Sequence, residues 1–141
     1  MAEYTAVQLQ TVEDGANVLF FETPIGSVRN NVTHRQGSGM FRLRGITNQC
    51  KARYRVSFGG NIAIPTDGTV GEISIALAID GEALASATAI VTPAAVEEFF
   101  NVFVTVFVEV PRGCCLTVAV ENTSDQAIDV QNANLIIERV C

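Results

Sequence analysis

The stretch Phe99-Phe100-Asn101-Val102-Phe103-Val104-Thr105-Val106-Phe107-Val108-Glu109-Val110 reads as a β-strand with two apolar faces. Successive side chains of a strand point to opposite sides. One side therefore carries Phe100, Val102, Val104, Val106, Val108 and Val110, an unbroken core row. The other carries Phe99, Asn101, Phe103, Thr105, Phe107 and Glu109, rings interleaved with polar groups. A half-exposed antiparallel strand normally keeps one face polar. Three phenylalanines on the second face make a patch that a soluble monomer rarely leaves in water. The pattern predicts a strand buried once inside its own domain and again against another subunit.

A chain of 141 residues, 48% hydrophobic and only 17% charged, suffices for one domain with a substantial core. Mean hydropathy is +0.30, yet no apolar run approaches the roughly 20 residues of a membrane-spanning helix. The apolar excess is assigned to a core plus subunit contacts, with no membrane partner. The opening residues, Met1 to Gln10, show neither a basic start nor an apolar signal segment. The expectation is a protein that stays where it is made or leaves without a signal peptide.

A net charge of −6 argues against a general nucleic-acid role. The basic residues nevertheless include Arg42, Arg44, Arg53 and Arg55, two pairs spaced by two, so each pair shares one strand face. Such a pair is either a solvated or salt-bridged sheet face, or a specific anion or subunit-axis contact. The four cysteines are Cys50, Cys114, Cys115 and Cys141. Adjacent Cys114 and Cys115 point to opposite faces if extended, so a bond between them would be strained, and the spacing of zinc ligands is missing. All four are expected to be buried or loop thiols; the alternative is a link between subunits through Cys141.

Short β-rich runs alternate with turn clusters, as in an antiparallel sandwich or barrel. Strands are predicted near 5–10, 18–22, 32–35, 40–43, 52–59, 71–79, 83–92, 99–110, 115–122, 128–130 and 133–140, with one turn of helix over Pro93–Glu98. Asp80-Gly81 is the strongest hairpin signal, because that pair supplies the positive φ angles of a tight type I′ turn. In Ile73–Ile79 the large residues should pack the core, while the Ser/Ala face permits close approach of another layer or chain.

No catalytic grouping emerges. His34 is the only histidine, and a Ser/His/Asp or Cys/His arrangement needs a base beside its nucleophile; it is expected at the surface or an interface. Glu13-Asp14 and Glu97-Glu98 read as solvated or helix-start charges. Asp67-Gly68 and Asp125 could join a loop calcium site, but six or more oxygen donors are required and no such concentration is visible. Gly59-Gly60 and Gly37-Ser38-Gly39 lack the lysine and helix of a phosphate loop. Asn31-Val-Thr33 and Asn122-Thr-Ser124 match a glycosylation pattern, taken as coincidence. No catalytic, cofactor-binding or metal residue is assigned, no cofactor is expected, and the chain is read as not an enzyme.

Several segments together resemble the tumour-necrosis-factor-like, complement globular-head jelly rolls. Asn17-Val-Leu-Phe-Phe-Glu-Thr-Pro-Ile-Gly-Ser begins like the first strand of that fold, and Ala52-Arg-Tyr-Arg-Val-Ser-Phe looks like its aromatic "G-x-Y-x-I/V" strand. Ile73-Ser-Ile-Ala-Leu-Ala-Ile-Asp-Gly-Glu is similar to its strand-then-"N/D-G" hairpin. Leu116-Thr-Val-Ala-Val-Glu-Asn and Ala133-Asn-Leu-Ile-Ile-Glu-Arg-Val look like its last two strands. The likeness covers roughly residues 16–140 and is closest to the bacterial branch, the globular tips of collagen-like spore-surface proteins and similar structural proteins of bacteriophages. It departs from the spore-surface proteins in lacking a collagen-like Gly-x-y stem.

The resemblance implies an all-β antiparallel jelly-roll sandwich that forms a homotrimer, with strands matching Ala52–Phe58, Phe99–Val110 and Ala133–Val140 lining the threefold contact. Tyr54, Phe99, Phe103 and Phe107, supported by Ile136 and Val140, are the expected interface residues. Residues 1–15 are expected to be a separate docking arm and 16–141 the jelly roll. The implied role is a bacteriophage virion structural protein, a capsid decoration or the head of a small fibre, docked to a larger shell through its N-terminal segment. The alternative is a spore-surface or host-encoded module that binds a ligand. A sugar-binding or enzymatic jelly roll is disfavoured by the single histidine and the absence of tryptophan.

Overall fold

A computed structural model describes residues 1–27, 31–113 and 115–140. Eleven strands follow one another among these residues: β1 Ala2–Ala6, β2 Gln10–Val12, β3 Glu22–Ile25, β4 Val32–His34, β5 Met40–Arg44, β6 Lys51–Ala63, β7 Ile73–Ile79, β8 Glu82–Val91, β9 Phe100–Pro111, β10 Cys115–Asn122 and β11 Ile128–Arg139. They form two antiparallel sheets. Sheet A runs β3-β1-β11-β6-β9, with β2 pairing β11, and sheet B runs β4-β5-β10-β7-β8. Strands distant in sequence lie side by side, β1 against β11 and β5 against β10, as the jelly-roll expectation requires.

Period-2 patterning places the core between the sheets. From sheet A come Tyr4, Val56, Phe58, Leu135 and Ile137, and from sheet B come Phe41, Leu43, Ile75, Leu77 and Val120, all essentially closed to solvent. On β9 the row Val102, Val104, Val108 and Val110 is buried while Asn101, Phe103, Thr105, Phe107 and Glu109 face out. Asp80 and Gly81 both take positive φ, 52° and 85°, and the β7–β8 hairpin closes there. The small residues Ala76 and Ala78 are already buried within the single chain.

Four expectations change. Residues 1–15 are not a separate arm: β1 is an internal strand of sheet A between β11 and β3, and Ala2, Tyr4, Ala6 and Val12 belong to the core. Alternate burial along β1 ties this segment into the sandwich. The segment 18–22 is extended but joins no ladder until Glu22. The Gln10 side chain takes the place of a strand there, donating from Nε2 to the Leu19 carbonyl and accepting the Leu19 N–H at Oε1, both at 2.9 Å. The runs 128–130 and 133–140 are one strand, bulged where Asn132 adopts φ 55° and the pairing with β6 shifts. Pro93–Glu98 is a turn rather than helix, with Glu97 at φ 58° and its N–H donated to the Ile64 carbonyl.

His34 ends the edge strand β4 and is less exposed than a surface histidine. Its ring stacks on Phe41 at 4.1 Å between centroids, meets the Tyr4 edge at 4.9 Å, and is half-buried where the two sheets approach. Nε2 lies 2.8 Å from the Ser38 carbonyl, which places the proton on Nε2, and the buried Nδ1 has no partner. Burial pulls the His34 pKa below the usual histidine value, while the Ser38 carbonyl opposes this. The unfolded chain therefore takes up this proton first as pH drops. Stability should decline as pH falls from about 6.5, the unfolded value, and the His34 contribution should level off below the folded value. Urea midpoints between pH 7 and 5 should show that slope in the wild type and a flatter one in His34→Gln; equal slopes would contradict this role.

Candidate subunit interface

Strand β9 forms one edge of sheet A and pairs only with β6, whose other side pairs β11. The three strands implied to line a threefold contact are thus adjacent. Their outward residues stand in rows: Phe103 beside Gly59 and Asn134, Thr105 beside Ser57 and Ile136, Phe107 beside Arg55 and Glu138. Phe103 and Phe107 are 65% and 62% exposed. A Cβ built on Gly59 would lie 3.7 Å from the Phe103 ring, so this ring leans towards the neighbouring strand at a position without a side chain.

Polar groups border these rings. Glu109 binds Arg53 at 2.9 Å and Lys51 at 3.1 Å, and Arg55 meets Glu138 at 3.0 Å. The Arg53 guanidinium, and then the Lys51 ammonium, hold the Glu109 carboxyl below the usual carboxylate range. In water such pairs add little stability. At the other end Asn101 Nδ2 donates to Asn61 Oδ1 at 3.2 Å, and between them the Ser57 and Thr105 hydroxyls bond at 2.9 Å. Exposed rings interleaved with polar groups that are already paired are features of a protein–protein contact.

The sandwich edges differ in the same sense. The ten-residue β8 lies beside β9 on one side of the molecule, and β8 is uncharged after Glu82, with Ile90 largely exposed. Long, flat, uncharged edges are templates for association. The opposite edges, β3 and β4, have four and three residues. On that side a second apolar grouping is exposed, Val7, Leu9, Leu19 and Phe21, around a cleft of about 620 Å³ that includes Val7, Leu9 and Phe21.

Of the expected interface residues, Phe103, Phe107 and Ile136 share the outer face. Phe99 is partly exposed just before β9, and Val140 just after β11 donates its N–H to the Arg53 carbonyl. Tyr54 does not belong with them: it is 1% exposed, and its hydroxyl donates to the Arg44 carbonyl at 2.7 Å. Tyr54 pairs with Val108 of the inward row, while Arg53 and Arg55 pair with the outward Glu109 and Phe107. Gly59, Ile90 and the apolar grouping at Val7–Phe21 went unrecognised in the sequence. The run Val18-Leu19-Phe20-Phe21, apolar on both faces, carried the signal for the last.

Among the described residues no three or more metal-ligating side chains cluster. Asp125 lines a loop cleft with Glu72 and Ser124, but Asp67 does not reach it. Cys50 is exposed and Cys115 half-buried; Cys114 and Cys141 lie outside the described residues. Asn122, read above as a chance glycosylation match, is completely buried.

Neither a protein-family model nor a curated protein matches the sequence. Solved structures do match the shape. The globular domain of zebrafish complement 1qA protein superposes with a TM-score of 0.57 at 11% identity, covering 96% of this chain and 94% of that one. The fold is a jelly roll, shared with that globular domain. PRD1 vertex protein P5 matches with a TM-score of 0.51 at 10% identity, over 99% of this chain and 96% of that chain. At such identities the likeness concerns the jelly-roll fold, and it spans 96% and 99% of this chain in the two cases.

Proposed function

We propose that this jelly roll is a non-enzymatic structural protein of a bacteriophage virion, a homotrimer that decorates the capsid or heads a short fibre. The observation that carries the reading is the pair of open rings, Phe103 and Phe107, on the outer face of the edge strand β9. Burying each ring against a sister chain would contribute about 1.5–3 kcal/mol. A ring of subunits closed by rotation joins two unlike surfaces, whereas a twofold dimer joins one surface to itself. The β8–β9 side and the Val7–Phe21 side offer two unlike apolar surfaces on opposite edges, which favours head-to-tail closure. The number three comes from the resemblance to the globular heads.

The virion setting is supported by the fold shared with a phage vertex protein. A free N-terminal docking arm has no support, because β1 is built into the sheet, so attachment to a shell protein falls to a folded surface. Cryo-microscopy of particles from the source, with mass spectrometry of the purified particles, tests the assignment. Threefold density matching this jelly roll on the capsid or a fibre is expected. Absence from particles, with sporulation genes as neighbours, would replace it by the spore-surface alternative.

A further inference from the structure

The two arginine pairs part company in the fold. On sheet A, Arg53 and Arg55 each meet a carboxylate. Arg42 and Arg44 project from the outer face of sheet B, and no described carboxylate lies within ion-pair distance of either. Arg42 Nη2 donates instead to Cys115 Sγ at 2.9 Å, and a thiol sulphur is a weak acceptor. A cleft of about 410 Å³ is lined by Thr33, Arg42, Arg44, Gly113 and Cys115, with no acidic residue among them. In a chain with fifteen acidic and nine basic side chains, this is a local concentration of positive charge to which no described carboxylate is paired.

We propose that this cleft binds a compact oxyanion of the phosphate class. The two arginines alternate with Leu43 on β5, so their Cα atoms stand about 6.6 Å apart and their guanidinium groups can converge on one tetrahedral anion. Guanidinium forks match phosphate oxygens in pairs, and the Thr33 hydroxyl adds a third donor group at the rim. Binding would exchange the weak sulphur acceptor of Arg42 for a charged oxygen. The site lies on the sheet opposite Phe103 and Phe107, so it stands or falls independently of the proposed assembly.

The test is a titration of the isotopically labelled full chain with inorganic phosphate, followed by amide chemical shifts, with ionic strength held constant by sodium chloride. Saturable shifts confined to the neighbourhood of Thr33, Arg42, Arg44 and Cys115 are expected. Arg42→Gln combined with Arg44→Gln should weaken binding roughly tenfold or more while the melting curve stays unchanged; Arg44→Gln alone should give an intermediate loss. A parallel titration with a glycerol phosphodiester separates the sources: tighter binding of the diester assigns a polymer-borne phosphate, and tighter binding of the inorganic ion a free one. Shifts reproduced by chloride alone, or affinity retained in the double variant, would overturn the site.

Discussion

Phe103→Asp is expected to convert the assembled protein to a folded monomer of 15.1 kDa, read by light scattering beside an unchanged far-ultraviolet spectrum. The ring points out of its own protomer and leans towards Gly59, so the protomer loses little packing. The assembled seam would lose about 1.5–3 kcal/mol of ring burial at each contact, and would in addition hold a desolvated carboxylate without a partner. Three such contacts in a ring multiply the effect. Phe107→Asp should act in the same direction, but more weakly, since Arg55 is its cross-strand neighbour and offers the new carboxylate a partner. Tyr54→Phe, in contrast, should leave the mass unchanged and lower only stability, because its hydroxyl bonds within the protomer. An unchanged mass for Phe103→Asp would remove the interface assignment.

Asn122→Ala is expected to be among the most destabilising single changes available. The side chain is closed to solvent and ties the end of β2 to the turn that follows β10. Nδ2 donates to the carbonyls of Val12 at 3.0 Å, Glu13 at 3.2 Å and Gln126 at 2.9 Å, while Oδ1 accepts the Ser124 N–H at 2.9 Å. Alanine would leave these groups without their partner. Each unsatisfied buried group costs about 1–3 kcal/mol; with some relaxation the total should be about 3–5 kcal/mol, lowering the melting temperature by roughly 10–15 °C. A calorimetric shift below a few degrees would show that water replaces the amide. The same four bonds preclude glycan attachment to Asn122 in the folded chain.

The features legible in the sequence were those fixed by local periodicity. The alternation of Phe99–Val110 gave the faces of β9, and Asp80-Gly81 gave the β7–β8 turn, because a two-residue period and a positive-φ pair are local properties. Features set by partners distant in the chain were not legible. Gln10 replaces a strand beside Leu19, and nothing in either segment announces it. Asn132 bulges β11 only because both halves pair with β6. Tyr54 is instructive in another way: its inward direction followed from its neighbours Arg53 and Arg55, which must face out, and the aromatic motif of the resemblance obscured that parity. His34 joined an aromatic cluster with Tyr4, and that contact depends on β1 being part of the sheet.

Sedimentation equilibrium of the wild-type chain over a dilution series tests the central claim most directly. Burial of the Phe103 and Phe107 face by sister chains predicts a species of about 45 kDa, three times 15.1 kDa, persisting at low micromolar concentration. A single species of 15.1 kDa throughout would mean that the rings remain in water, and would contradict it.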